Sequence, residues 1–302
     1  MMRATDLPLR DGVGASWVAL PAGEWLNVID FLVTRFPAID RADWRARMQR
    51  GDVLDASGSA LSPDAPYRPN GMVFYYRSVA AEHPIPFEAT ILFQDDWLVA
   101  MDKPHFLPVT PSGHYLQQTL LVRMKRALGI DTLAPMHRID LDTAGIVLFT
   151  VQPRTRDRYQ ALFRERAVDK VYEAIAPWRP ELTLPLTRSS RLVESAAFMQ
   201  MEEVAGVPNA ETSVTLLEVR NGRARYRLQP ATGQKHQLRV HMAALGIPIV
   251  NDRIYPILQP ALAPGSAPDY SAPLQLLAQS LAFTDPFSGE RRDFRSGLGL
   301  QF

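Results

Sequence analysis

Proline punctuates this chain: 25 of its 302 positions carry it, about 8% where about 5% is usual. The ring fixes φ and removes a backbone donor, so each proline limits where a helix or a central strand can run. The prolines fall in two clusters. Pro63, Pro66 and Pro69, followed by Pro84 and Pro86, form the first, and Pro256, Pro260, Pro264, Pro268 and Pro273 form the second. Within the first, the aromatic run Gly71-Met72-Val73-Phe74-Tyr75-Tyr76-Arg77 reads as a strand, and the domain boundary is placed between Val79 and Phe87. Residues 1–80 are expected to form a small N-terminal α/β module and residues 81–302 a larger domain. The second cluster, spaced by small and polar residues, reads as a long surface loop.

Upstream of the boundary, Leu26, Ile29, Phe31, Leu32 and Phe36 supply an apolar helix face, and a second short helix starts on Asp40 and stops at Gly51. Arg41 and Arg45 lie one helical step apart on it, facing either a phosphate or plain solvent. Downstream, strand-like and helical runs alternate without a regular βαβ rhythm. Thr90-Ile91-Leu92-Phe93 and Trp97 to Met101 flank the turn Gln94-Asp95-Asp96; Thr119 to Leu128 is an amphipathic helix ending at Gly129; Gly145 to Val151 is a buried strand. Arg154 to Arg166 reads as a basic helix, Val171 to Ala176 as a strand and Gln237 to Leu245 as a short helix. This mixture favours an α+β architecture.

With 33 Lys and Arg against 32 Asp and Glu, the formal charge is +1, which by itself gives no support for a polyanionic partner. Its distribution is uneven. Between Arg220 and His241 stand Arg220, Arg223, Arg225, Arg227, Lys235 and Arg239 and no carboxylate. In a strand, alternation places Arg223, Arg225 and Arg227 on one face, to be neutralised either by phosphate or by carboxylates such as Glu202, Glu203 or Glu218.

Several chemistries are set aside. The chain has no cysteine, which removes disulfides, thiolate nucleophiles and thiolate metal sites. His236 and His241, five apart, do not have the i, i+4 spacing of a zinc helix, so no metal and no cofactor is expected. Asp140 and Asp142 stand too close in sequence to flank a sugar in the usual way. There is no Gly-x-Ser-x-Gly elbow and no Walker loop. Without an apolar leader or a membrane-length apolar run, a cytoplasmic location away from membranes is expected.

Three polar segments remain as carriers of chemistry: Pro135 to Gly145, which runs directly into the buried strand; Val168 to Glu173, with Lys170 and Tyr172 on one strand face; and Ala231 to His241, a glycine turn entering a helix. Their order carries a resemblance. His137-Arg138-Ile139-Asp140 with Thr143-Ala144-Gly145 resembles the signature of the RluA family of RNA pseudouridine synthases. Asp102-Lys103-Pro104 resembles that family's lysine-proline segment, and Phe163, Arg164, Val168, Lys170 and Tyr172 match its next block. Thr232-Gly233, His236-Gln237-Leu238-Arg239-Val240-His241, Gly246-Ile247-Pro248 and Asp252-Arg253-Ile254-Tyr255 resemble its last. Four ordered blocks over about 155 residues make the match specific. Departures are Ala144 for the usual Ser, Gln234-Lys235 for Arg-Thr, Asn251 for Gly and Phe106 where many members have Gly.

The resemblance implies a mixed, largely antiparallel central sheet with flanking helices, and an isomerase that breaks the N1–C1′ bond of a uridine in RNA and rejoins the uracil through C5. It implies Asp140 as the catalytic carboxylate, either as nucleophile at C1′ or as base at C2′. Arg239 is then the cation that keeps Asp140 charged in a dry pocket, and Tyr172 supplies a ring face and a hydroxyl that assists loss of the C5 proton. The RNA-facing set comprises His137, Arg138, Thr143, Lys170, Lys235, His236, Gln237 and His241, with the row Arg223, Arg225 and Arg227. Within it Arg138 fills the gap left by the departing uridine, His137 acts as a hydrogen-bonder rather than a base, and Asp142 and Thr143 fix their loop. The partner is a structured RNA, ribosomal or transfer, bound by a monomer, and the N-terminal module resembles a degenerate S4-like RNA-binding unit. The alternative is a catalytically inactive RNA-binding or assembly protein on the same fold.

Overall fold

The computed structural model describes residues 7–79, 82–197, 199–260 and 266–302. The start from Met1 to Asp6, Pro264 of the second proline cluster, and residues 80 and 81 at the expected boundary lie outside the described residues. The chain divides into two compact units, Met1–Glu82 with Pro111–Gln117, and His83–Thr110 with Gln118–Phe302. The short segment 111–117 thus belongs with the N-terminal unit.

In the first unit, β1 (Ser16–Ala19), α1 (Val28–Arg35), α2 (Arg41–Gln49), β2 (Val53–Leu54) and β3 (Met72–Tyr75) make a three-stranded sheet, order β1-β3-β2, with two helices. Asn27 and Asp30 form a capping box at the start of α1, and the Asp40 side chain accepts from the Asp43 amide at 2.7 Å to start α2. Ile29, Phe31 and Leu32 of α1 pack with Trp44 and Met48 of α2. The arginines of α2 are mostly engaged: Arg41 pairs with Asp30, Arg50 with Asp52, and Arg47 is buried and reaches the Ser78 carbonyl. Arg45 is exposed.

The second unit holds β4 (Thr90–Gln94), β5 (Leu98–Lys103), α3 (Leu120–Leu128), β6 (Ala134–Pro135), β7 (Ala144–Thr150), α4 (Arg156–Arg164) and β8 (Val168–Pro177). After these come β9 (Leu186–Glu194), β10 (Met201–Val204), β11 (Ala210–Arg220), β12 (Arg223–Pro230), α5 (Gln237–Ala244), β13 (Leu276–Thr284) and β14 (Arg291–Arg295). The main path of the sheet runs β10-β9-β11-β12-β8-β13-β7-β5-β4, with β14 beside β13 and β6 beside β7. Every pairing is antiparallel except β7 with β13. This is the mixed, largely antiparallel α+β sheet the sequence implies. The described residues of the second proline cluster form no helix or strand.

All seven residues of β7 are buried, as an apolar run between two neighbouring strands requires. Its second residue, Gly145, has φ +112°, and a Cβ there would stand 2.2 Å from the Ala278 carbonyl oxygen of β13. Only glycine allows the two parallel strands to approach so closely. The polar loop 136–143 is thereby anchored at its exit by a strand that cannot shift.

Candidate active site

α5 is buried nearly all round: Gln237, Leu238, Arg239, Val240, His241 and Met242 are all shielded from solvent. Leu238 and Met242 pack on Ala174, Tyr226 and Leu228 of the sheet. Its polar side chains must therefore find partners inside. Gln237 does so fully: its amide nitrogen donates to the Glu211 carbonyl at 2.8 Å and to the Thr212 hydroxyl at 2.9 Å, and its oxygen accepts from the Thr232 hydroxyl and the Gln234 amide. His241 lies between the Ser190 and Thr212 hydroxyls, each 3.0 Å away, and burial lowers its pKa to about 4. Gln237 and His241 hold α5 and the glycine turn in place. Both side chains, expected among the RNA-facing set, are buried here.

Arg239 is the largest charged group in the helix, and its first partner is Asp252. Nε donates to one Asp252 oxygen at 2.8 Å and Nη2 to the other at 2.6 Å, a bidentate pair in which both side chains are almost wholly buried. Asp252 also accepts from the Ile254 and Tyr255 amides. Burial works against the guanidinium's charge, but the Asp252 hydrogen bonds and charge outweigh it and hold the pKa above its ordinary value. The remaining nitrogen, Nη1, stands 3.4 Å from Oδ2 of Asp140. Asp140 itself keeps 32% of its side-chain surface exposed. Asp252 is thus the more deeply buried of the two carboxylates, and Asp140 is a partly accessible one facing a cation already locked in position.

His236 adds a third group. It takes φ +55° at the start of α5, and its Nε2 lies 3.9 Å from Asp140 Oδ2. Tyr255's hydroxyl accepts from the Met201 amide at 2.7 Å, so its one proton is free to go to His236 Nδ1, 3.0 Å away. In that tautomer Nε2 carries the proton, on the ring nitrogen nearer Asp140. Burial lowers the His236 pKa, against the pull of Asp140, and favours this neutral imidazole.

Behind the loop, Lys103 is completely buried at the end of β5. Its Nζ donates to the Pro104 and Leu141 carbonyls at 2.9 and 3.1 Å, and burial, opposed by Asp142 and Asp140, lowers its pKa to about 7. His105 Nδ1 donates to the Asp142 carbonyl at 2.6 Å, and the Thr143 amide to the Asp140 carbonyl at 3.2 Å. Asp142 therefore helps fix the loop through its backbone, while burial raises the pKa of its carboxyl. Thr143 is buried.

Tyr172 on β8 faces the α5 side of the sheet, opposite Leu228 in register, and is half-buried. Burial and the nearby Asp140 charge raise its pKa. A phenol so held keeps its proton, so the site is offered a ring face and a protonated hydroxyl. Lys170, on the same strand, donates to the Thr232 carbonyl at 2.9 Å and so ties β8 to the glycine turn.

The other expected RNA contacts scatter. His137 accepts from the Leu148 amide at 3.2 Å, stacks on Phe163, and has its pKa lowered to about 3 by burial and by Lys170, so it is a structural hydrogen-bonder. Arg138 is exposed beside the loop. Lys235 is half-exposed, 3.8 Å from Glu194. Arg223, Arg225 and Arg227 do share a face of β12, but it is the face opposite Tyr226, Leu228 and Tyr172, away from Asp140. Arg225 lies 3.8 Å from Glu173 and over the Phe302 ring, and Glu218 stands across from it in register; Glu203 pairs with Arg188 instead.

The structure thus brings Asp140, Arg239, His236 and Tyr172 together, and adds Asp252, Tyr255 and Lys103. Both added acidic and basic groups stand in motif segments already quoted, where burial was the missing signal.

Comparison with known proteins identifies the family. Residues 97–244 match the family described as RNA pseudouridylate synthase. An uncharacterised RNA pseudouridine synthase of Synechocystis is 27% identical over 233 residues, 76% of this chain and 79% of that protein. The dual-specificity RNA pseudouridine synthase RluA of Haemophilus influenzae is 31% identical over 213 residues, 68% of this chain and 91% of that protein. The solved structure of human RNA pseudouridylate synthase domain containing 4 superposes with a TM-score of 0.54 at 28% identity, covering 69% of this chain and 88% of that one.

Proposed function

The chain belongs to the RluA-type family of RNA pseudouridine synthases, and on that premise we propose that it isomerises uridines in structured RNA, ribosomal or transfer, with Asp140 as the catalytic carboxylate. One observation carries the assignment of Asp140: the carboxylate is accessible at the tip of a loop fixed by Lys103, His105 and β7, and it faces the free edge of a guanidinium locked by Asp252.

In this reading the target uridine leaves its stack, and Tyr172 receives the uracil on its ring face. Exposed Arg138 fills the space left in the RNA. Asp140 Oδ2 acts on the ribose, the N1–C1′ bond breaks, and the uracil turns. The C5–C1′ bond then forms, and the proton leaving C5 is passed to N1 by way of the Tyr172 hydroxyl, which gives up its own proton as it accepts that one, so the atoms balance without an added reactant. Arg239 Nη1 and the His236 Nε2 proton steady the carboxylate's charge through the cycle, in fixed positions that need no reorganisation. Tyr172 donates from its protonated hydroxyl. The enzyme works as a monomer in the cytoplasm; among the described residues no helix is long and apolar enough to cross a membrane.

The test compares cellular RNA from wild type, a deletion strain and a strain expressing Asp140→Ala by carbodiimide-based pseudouridine mapping. Sites missing from both the deletion and Asp140→Ala strains are expected, and they identify the substrate. Identical maps in all three would sink the proposal. A site lost on deletion but kept with Asp140→Ala would remove Asp140 from the chemistry.

A further inference from the structure

Phe106 stands in backbone that few bulky residues adopt. Its φ is +66°, in the left-handed region where a side chain larger than that of glycine is disfavoured. Glycine in its place would relieve the backbone at once. What the position keeps must therefore come from the ring.

The ring's surroundings show what it does. It stacks at 6.0 Å on Phe87 with an interplanar angle of 27°, and it meets Tyr270 at 5.1 Å; Phe87 and Tyr270 meet edge to face at 5.2 Å. All three rings are half-buried, each with part of its surface open to solvent. The trio is tied to the catalytic loop by a single residue: His105, next to Phe106, donates to the carbonyl of Asp142, two positions from Asp140. Exposed Arg253, next to Asp252, lies within electrostatic reach of Asp269, the residue before Tyr270. An aromatic ledge tied to the catalytic loop through His105, with the exposed Arg253 shared with Asp269, combines a π face for a base with a cation for its phosphate.

We propose that Phe106, supported by Phe87 and Tyr270, is a specificity-determining residue that stacks the nucleobase neighbouring the target uridine. The inference rests on the synthase reading and deepens it. A nucleobase fits better than an apolar side chain of another protein, because the ledge is a few rings wide and joins a site that must already hold RNA.

The test uses the full chain and, as probe, total transfer and ribosomal RNA from a strain lacking the gene. Pseudouridine formation against RNA concentration gives kcat and KM, and a binding titration with the same RNA, which needs no catalysis, gives Kd. Phe106→Gly relieves the backbone and removes the ring. Its KM and Kd are expected to rise roughly ten-fold, with kcat falling by less and the urea midpoint not lowered. Phe106→Leu, which keeps apolar volume without a π face, is expected to weaken binding similarly, and Phe106→Trp to stay within about two-fold of wild type. Wild-type Kd in both Phe106→Gly and Phe106→Leu would overturn the proposal. So would a Phe106→Trp variant as weak as Phe106→Gly, or a Phe106→Gly variant that loses stability rather than affinity. A wild-type chain that binds the RNA but forms no pseudouridine would remove the synthase reading, and the Kd comparison would still decide for or against the ledge.

Discussion

Arg239 divides its guanidinium between two carboxylates of unlike character, one buried and one accessible, and the division sets what each does. Asp252 takes two donors at 2.6 and 2.8 Å inside the protein; Asp140 receives only the third, at 3.4 Å. Removing one partner of a buried pair leaves an uncompensated charge and costs about 3–5 kcal/mol. Asp252→Asn should therefore lower the unfolding free energy in urea by that much and reduce kcat more than RNA affinity. A variant of wild-type stability would show that the pair is not what holds Arg239. Motif spacing made Asp140, Arg239 and Tyr172 readable in the sequence, because they sit in ordered blocks. The central place of Asp252 was not readable, although its segment was: a carboxylate thirteen positions beyond its partner could equally be a surface residue, and only burial distinguishes the cases. Two departures from the family pattern are also explained by conformation. Asn251, like Phe106, takes a left-handed backbone, at φ +63°. Asparagine tolerates that region and phenylalanine does not, which is why only Phe106 asks for a further reason.

At the scale of elements, the sequence was most readable where burial on both sides makes an apolar run, as in β7, or where caps mark helix ends. Thr119 and Gly129 bound α3, and Asp40 starts α2, where the sequence placed them. It was least readable at the far side of the sheet. β9 reads Leu-Thr-Arg-Ser-Ser-Arg-Leu-Val-Glu with a mostly exposed alternation, and neither it nor β10 and β11 has a periodic signal strong enough to separate a strand from a loop. Their strand character comes from pairing with β12 and one another. The β7–β13 junction gives the sharpest test of the fold. Gly145→Ala puts a Cβ 2.2 Å from the Ala278 oxygen at φ +112°. It should destabilise the chain by at least about 3 kcal/mol in urea unfolding, and activity should fall because the loop carrying Asp140 leads into this residue. A loss below about 1 kcal/mol would mean that the two strands can part without cost.

For the whole molecule, the arginine row of β12 proved a poor guide to the site, since it lies on the face away from Asp140 and is partly answered by Glu173. The titration of buried imidazoles is more informative. An ordinary imidazole has a pKa of about 6.5, and the folded chain holds His241 at about 4 and His137 at about 3. Below pH 6.5 the unfolded chain takes up these protons and the folded one does not. Stability contributed by neutral burial is therefore present above pH 6.5 and is lost as pH falls toward 4 and 3, at up to about 1.4 kcal/mol per pH unit for each group. His241→Gln should flatten the dependence of the urea midpoint on pH between 6.5 and 4 by one imidazole's share; an unchanged slope would contradict the assignment. The central claim, that an accessible Asp140 held before a locked Arg239 isomerises uridine, is tested most directly with purified protein and RNA from a strain lacking the gene. The wild-type chain should form pseudouridine at discrete sites, and Asp140→Asn, of equal fold and RNA affinity, should form none. Equal pseudouridine yields from the two proteins would contradict the claim.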